Sequence, residues 1–413
     1  MHEGGFLMKA YDFAPAIERS FGDMCEFASR LIALPSVTGQ EGLVAETIIS
    51  EMKRLQYDDV FTDKAGNVVG VIKGTGGGEH ILYNCHMDQV DPGNLEAWEH
   101  PPFSGKTADG WIHGRGASDT KGAIATQVYS AACVKEAGAA HRGDIIVTAV
   151  VEEEPGDMWG MRKLADEVLA VYPGRIGLTV LGEATGLNVY LGHRGKVEID
   201  IRTIGQVAHS SAPWRGTNAV YKMCPVIEAL EKLGDRLPEH PFLRRSSVAV
   251  TNITCSPGWL STVPDRCTIR IDRRFLPHEN RETIMKELGD ILKGAGLSVG
   301  ADAAAEIQAY AHTGYTGLQE SMELYKPAFL TPEDEPHVVI VVDALKKVGQ
   351  NPAFNCWDFG TDGAWIATEL GIPTIGYSPC EEEYAHTPRD RVSMDLMRKA
   401  ALGYAAISVA VTE

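Results

Sequence analysis

Apolar positions recur at helical spacing from residue 12 to 33 and stop ahead of Pro35, which predicts a first helix. Residues 41–57 predict a second. VVGVIK (68–73) and HILYNC (80–85) have the character of strands, and GTGGG (74–78) lies where a hairpin turn between them would. A phosphate-binding loop would need a Gly-Lys-Ser/Thr and a helix opening behind the glycines. Neither is present, so the cluster is read as a turn. KGAIATQVYSAACVKEAG (121–138) predicts a helix ending on Gly138. DIIVTAVV (144–151) is a near-continuous apolar run, as expected of a strand buried on both faces, and IGLTVLG (176–182) repeats it. Strands alternating with helices predict an α/β layer around a parallel or mixed sheet.

The pattern changes near residue 194. KVEIDIRTIG (196–205), SVAVTNITC (247–255) and RCTIRIDRRF (266–275) alternate like strands with one wet face, and helices are expected at 217–234 and 280–293. This block reads as a compact α+β unit. Afterwards the first character returns, with a helix in VVIVVDALKKVG and a short buried strand in GIPTIGYSP. The expected organisation is therefore one α/β domain formed by 1–193 and 313–413, with residues 194–312 inserted into it. A chain of 413 residues is too long for one ordinary core, which agrees with two units. No internal repeat or low-complexity tract is visible.

A net charge of −18 without a Lys/Arg cluster argues against nucleic acid or an anionic membrane as the main partner. It leaves anionic small substrates open, because bound metals and one arginine can reverse the field inside a cleft. No apolar run reaches transmembrane length. The opening MHEGGFLMKAYDF lacks a basic segment followed by an apolar core, so no signal peptide is expected. Eight scattered cysteines form no CxxC pair and suggest a reducing cytoplasm. Cys85 adjoins His86 but reads as a core strand residue rather than a ligand.

The candidate chemistry is an ordered series of carboxylates and imidazoles. It comprises His86 and Asp88 in NCHMDQVD, Asp119 in HGRGASDTKG, Glu152, Glu153 and Glu154 before Pro155-Gly156, Glu183 in LGEATG, and His386 in YAHTPRD. Singly these are weak. A His-x-Asp after a strand is usually a surface pair, an acidic triplet is usually a solvated face, and Asp119 has the position of a helix N-cap. Together they supply ligands for two divalent metals and a spare carboxylate to act as base. Several follow predicted strands, where open α/β sheets place their sites. Asp88 stands two residues from His86, so it can bond the ring nitrogen that His86 does not give to metal. Pro155-Gly156 ends the strand and lets adjacent glutamates diverge. One can then ligate while its neighbour faces water, although spacing alone does not say which two of the three are used. Imidazole and carboxylate without thiolate suit zinc, and also cobalt or manganese.

These motifs resemble the M20 family of dinuclear metallohydrolases, which holds carboxypeptidases, aminoacylases, acetylornithine deacetylase and succinyl-diaminopimelate desuccinylase. The resemblance spans nearly the whole chain and is nearest to the selenium-metabolism-linked branch. It implies a zinc-exopeptidase-like mixed-sheet domain, with 194–312 as lid and dimerisation domain. It implies that His86 and Glu183 hold one metal, supported by Asp88, that Asp119 bridges, and that Glu154 and His386 hold the other. Glu153 becomes the general base. VAHSSAPWRGTNAV resembles the segment whose histidine, here His209, contacts the substrate carbonyl, often across a dimer. DRR resembles the strand whose arginine, here Arg274, binds the substrate carboxylate; a solvent-facing arginine is the rival reading. STVPD departs from the pattern by placing Ser261 where the family often has asparagine, which bears on substrate contacts.

The resulting expectation is a two-metal amidohydrolase that cleaves a small N-acyl amino acid bearing a carboxylate. Dipeptidase, carboxypeptidase and N-carbamoyl amide hydrolase are alternatives. A catalytically silent metal-binding scaffold is the rival from another class, disfavoured because base, bridge and ligands are all present. A dinucleotide-dependent dehydrogenase is less suited, since no G-x-G-x-x-G with an acidic partner follows an early strand.

Overall fold

The computed structural model describes residues 13–258 and 261–413. Residues 1–12, on which the signal-peptide reading falls, lie outside the described residues. Among the described residues, nine strands form the larger sheet. Its order is Asp59–Thr62, Val68–Ile72, Ile145–Val150, His80–His86, Ile176–Leu181, Thr374–Gly376, Val189–His193 and Phe329–Leu330, with Phe354–Trp357 also on Val189–His193. The pairs made by His80–His86 with Ile145–Val150 and Ile176–Leu181 are parallel, as is the pair of Ile176–Leu181 with Thr374–Gly376.

The unbroken apolar runs are explained by helices on both faces. Ile81, Tyr83, Ile145, Val147, Leu178 and Val180 join the core under the helices Ala14–Ala33, Gly42–Arg54, Gly122–Glu136, Pro336–Lys347 and Met394–Thr412. Leu82, Ile146, Val150 and Leu181 turn to the opposite core, under Trp159–Glu167 and Gly363–Glu369. Successive strand residues point to opposite faces, so a run covered on both sides cannot alternate in polarity. The helix predicted at 121–138 spans Gly122–Glu136 and is buried on nearly every side between sheet and outer helices. Gly138 follows it at φ +62, a left-handed conformation that suits glycine.

The GTGGG segment is not a hairpin. Ile145–Val150 lies between Val68–Ile72 and His80–His86, antiparallel to the first and parallel to the second. The glycines instead carry the chain across the end of that strand, so close to it that a Cβ on Gly74 would stand 2.2 Å from the Arg142 carbonyl oxygen.

The second sheet is antiparallel, in the order Ser247–Ser256, Arg266–Phe275, Gly195–Ile204 and Ala303–Ile307, with Tyr325–Lys326 also on Gly195–Ile204. Val197, Ile199, Ile201, Ile269 and Ile271 pack under the helices Ala219–Gly234 and Arg281–Gly294. The intervening residues form the wet face that the alternation predicts. Ser247–Ser256 differs from expectation: its register slips between Val250 and Asn252, and Val250 and Ile253 stay 40% and 54% exposed. It is an edge strand with one side unpaired. The strands of this sheet run on to Lys326, and the chain rejoins the larger sheet at Phe329–Leu330, later than the expected residue 313.

Between them, the hairpin Ala309–Thr313 and Gln319–Glu323 packs back onto the larger domain. His312 Nδ1 lies 2.6 Å from Glu152 Oε2 and Nε2 lies 2.5 Å from Asp157 Oδ2, with the ring stacked on Trp159 at 4.8 Å. Carboxylates only accept, so both ring nitrogens carry protons and the buried group is an imidazolium. Burial works against that charge, but the bonds to Asp157 and Glu152 outweigh it and raise the pKa to about 9. The stabilisation is therefore complete below the ordinary histidine value and is lost as pH rises through about 9. We expect His312→Gln to cost about 3 kcal/mol near neutrality, because two buried carboxylates lose their cation. Urea denaturation should show the gap between variant and parent closing as pH approaches about 9. A gap independent of pH would show that the ring is neutral.

Candidate metal centre

The site lies beyond the carboxyl ends of three neighbouring parallel strands. His86 is the last residue of His80–His86 and is buried. Its Nδ1–H donates to the main-chain oxygen of Asp88 at 3.0 Å. Nε2 therefore turns to the carboxylates, 2.9 Å from Asp119 Oδ1 and 3.9 Å from Glu183 Oε1. The Asp88 carboxylate was expected to serve that ring. It stands 3.4 Å from Nδ1 but accepts the backbone N–H of Glu153 at 3.0 Å, that of Glu154 at 3.1 Å and the Thr38 hydroxyl at 2.9 Å. The Asp88 main chain thus orients His86, while its side chain ties the acidic loop to the histidine loop.

Asp119 is not a helix cap. The residue at the N-cap position of Gly122–Glu136 is Lys121, which makes no side-chain capping bond. The turn before it is held from outside by Asp390, which accepts from Gly116 N at 2.8 Å, Ser118 N at 2.9 Å and Arg115 Nη1 at 3.1 Å. Lys121 anchors the other side, donating to the Leu34 carbonyl at 2.7 Å. The Asp119 carboxylate is thereby left facing inward. Oδ1 meets His86, and Oδ2 lies 2.8 Å from His386 Nε2. His386, at φ +58 and half exposed, also lies 3.3 Å from Glu154 Oε2. One carboxylate thus presents an oxygen to each of two histidines that are 300 residues apart in the chain (386 − 86).

Two overlapping groups have donor atoms within 4.8 Å of one another: His86, Glu153 and Glu183, and His86, Asp119 and Glu154. The charge in this cluster is poorly balanced. Burial and then the nearby Asp119 push Glu154 up to about 7. Burial likewise lifts Glu183 well above the carboxylate range. Bonds to Asp119 and Glu154 raise His386 to about 10. Burial would also raise Asp119, but its bonds from His386 and His86 hold it far below the usual range. Glu154 Oε1 is buried and has no hydrogen-bond partner. A mixed imidazole and carboxylate set with an unpartnered inward oxygen fits a divalent cation.

A cavity of about 320 Å³ opens on this cluster, lined by Asp119, Glu153, Glu154, Glu183 and His386 on one side and by Lys196, Arg274 and Lys326 on the other. Arg274 therefore faces the site, paired with Asp272 at 2.7 and 3.1 Å. Its neighbour Arg273 points into the core and bonds Glu279. His209 is not brought in. It is exposed, its Nδ1 accepts from the Ser211 N–H at 3.1 Å, and it does not line the cavity. Ser261, whose carbonyl accepts from Ser210 N, sits beside it. Three groups escaped the sequence reading. Lys326 donates to Glu153 Oε1 at 2.5 Å. Asp362 is buried next to it with neither oxygen bonded. His312 clamps the same acidic loop from behind.

The family model described as "Peptidase family M20/M25/M40" matches residues 82–409. The chain is 33% identical to "Uncharacterized protein YgeY" of Escherichia coli (strain K12) over 388 residues, 93% of each chain. It is 24% identical to succinyl-diaminopimelate desuccinylase of Paracoccus denitrificans over 394 residues, 93% of this chain and 97% of that one. The fold matches the crystal structure of Bacillus subtilis YXEP, described as a dinuclear metal-binding peptidase from the M20 family. That match has a TM-score of 0.69 at 16% identity and covers 96% of this chain and 99% of the other. From the family match and the YgeY relative, the chain belongs to the peptidase family M20/M25/M40, hydrolases that act on amide bonds.

Proposed function

We propose that this protein is a two-metal deacylase that hydrolyses the amide bond of a small N-acyl amino acid. The observation that carries the reading is Asp119, with one carboxylate oxygen toward His86 and the other toward His386. His86 and Glu183 would hold one ion, His386 and Glu154 the other, and Asp119 would bridge. Zinc suits these donors best, with cobalt or manganese as alternatives. Such ions, when bound, polarise a carbonyl and acidify water. Glu153 takes the proton of the attacking water and returns it to the leaving nitrogen. Arg274 holds the substrate carboxylate, exchanging its contact with Asp272 for the ligand.

Residues 194–312 act as the core of a lid that carries Arg274 over the site. His209 lies outside the cavity of its own chain, so its part, donating to the oxyanion, belongs to the site of a second copy in a homodimer. The exposed Ser247–Ser256 edge supports that assembly, because an unpaired strand is a ready template for another chain. No helix among the described residues is long and apolar enough to cross a membrane. All eight cysteines are free thiols, which supports a cytoplasmic setting.

The reading is tested with metal-loaded protein on N-acetyl, N-succinyl, N-formyl and N-carbamoyl amino acids and unprotected dipeptides. Amine release confined to one acyl class is expected. Preference for dipeptides would make the protein a peptidase, and no turnover with both metals bound would make it a scaffold. Glu153→Gln should lower kcat by about 10³-fold with metal content unchanged. Metal binding should also release protons, because His386 titrates at about 10 and Glu154 at about 7 before metal enters. Affinity should accordingly rise with pH across neutrality. Calorimetry in two buffers of different ionisation enthalpy measures the release; none at pH 7 would remove His386 from the ligand set.

A further inference from the structure

Glu153 presents a problem for its assigned task. Its carboxylate stands with His86 and Glu183 in a group whose donor atoms lie within 4.8 Å of one another. By position it could ligate a metal as readily as it could accept a proton. A ligand carboxylate is a poor base, because the cation has taken up its lone pair. Something must keep Glu153 out of the coordination shell.

Lys326 is placed to do so. Its Nζ donates to Glu153 Oε1 at 2.5 Å and to the Gly360 carbonyl at 3.0 Å, and the residue is only 2% exposed. The two partners come from different sheets. Glu153 follows a strand of the larger sheet, whereas Lys326 lies on Tyr325–Lys326, paired with Gly195–Ile204 in the smaller one. There it stands opposite Lys196, which in turn stands opposite Arg274, so three cations form a row across the sheet. The lysine stem is seated against Gly360, where a Cβ would come within 2.6 Å of Lys326 Cδ. Burial works against the ammonium, but Glu153 and Asp362 outweigh it and raise its pKa. A buried ammonium is tolerated only where such partners face it.

We propose that Lys326 is a positioning residue that reserves Glu153 for proton transfer by holding one of its two carboxylate oxygens, Oε1, away from a metal. The inference rests on the two-metal reading with Glu153 as base. It makes the base dependent on the lid, since the smaller sheet must be seated for the lysine to reach its partner.

Cobalt(II) gives a readout independent of turnover, because its visible absorption reports coordination number. In Lys326→Met, Glu153 should enter the coordination shell. One cobalt ion should then bind about tenfold more tightly. The visible band should weaken as an oxygen ligand is added, and kcat should fall about 100-fold with KM little changed. Lys326→Arg, which keeps a cation there, should retain the wild-type spectrum. Lys326→Met/Glu153→Gln should return affinity and spectrum to those of Glu153→Gln. If Lys326→Met does not fold, Gly360→Ala displaces the stem without removing the charge and should produce the same spectral change. An unchanged spectrum and affinity in whichever of these two variants is read, with wild type loading two ions, would overturn this inference alone. Wild type that loads no cobalt would overturn the two-metal reading and this inference with it.

Discussion

The structure is organised around negative charge that its own residues do not neutralise. Asp119, Glu153, Glu154 and Glu183 converge where three strands end, and Asp362 is buried beside them. Two like charges 4 Å apart repel by about 4 kcal/mol at an effective dielectric of 20, so a cluster of this kind does not assemble for its own sake. Protonated histidines offset part of it, and Glu154 and Glu183 hold protons more tightly than ordinary carboxylates. An arrangement that must borrow protons to stay together is one prepared for cations.

Much of the surrounding fold serves to hold these groups against their repulsion. Asp88 fixes both backbone amides of the acidic pair, so the side chains of Glu153 and Glu154 leave the loop in set directions. Asp390 and Lys121 grip the turn that presents Asp119 from outside the cluster. His312 closes the back of the acidic loop with a buried cation between Glu152 and Asp157. Each device spends a charge or a buried hydrogen bond at a distance from the chemistry, which keeps the donors themselves free. The acidic loop accordingly tolerates Glu152 at φ +51, a strained conformation over-determined by the bonds of its amide to Glu41 and of its carboxylate to His312.

What was legible in the sequence follows from what is local. The central strands announce themselves because both faces are covered, and most of the candidate ligands stand at strand ends, where a change from apolar to acidic residues is abrupt. The wet-face alternation from residue 196 to 204 identifies the smaller sheet. Arg274 is singled out by the family resemblance alone, and in the structure its parity rather than that of Arg273 faces the cavity. Pairing is not local, and there the reading failed. Nothing in GTGGG reveals that residues 145–150 insert between the strands on either side of it. Nothing around Asp119 shows that Asp390, distant in the chain, has freed it from capping. Lys326 and His312 meet their partners 173 and 160 residues away, and neither lies in a periodic pattern, so a buried cation in each case looks like a surface residue.

The face of the smaller sheet toward the site adds a final constraint. Arg274, Lys196 and Lys326 form a row over the carboxylates, an attraction that seats one sheet on the other while the cluster is negative. Under the two-metal reading, bound ions remove much of that negative charge, and the cationic row then faces a centre near neutrality or above it. Lys326 keeps its partner in Glu153. Among the described residues, Arg274 and Lys196 keep Asp272 and Glu198 as ion-pair partners, each two residues away on its own strand. A substrate carboxylate between the row and the centre would restore the lost attraction and, if residues 194–312 serve as the proposed lid, draw it down. The same carboxylate that gives recognition would then also govern closure, so acyl compounds without one would bind to a site whose lid lacks its electrostatic reason to shut.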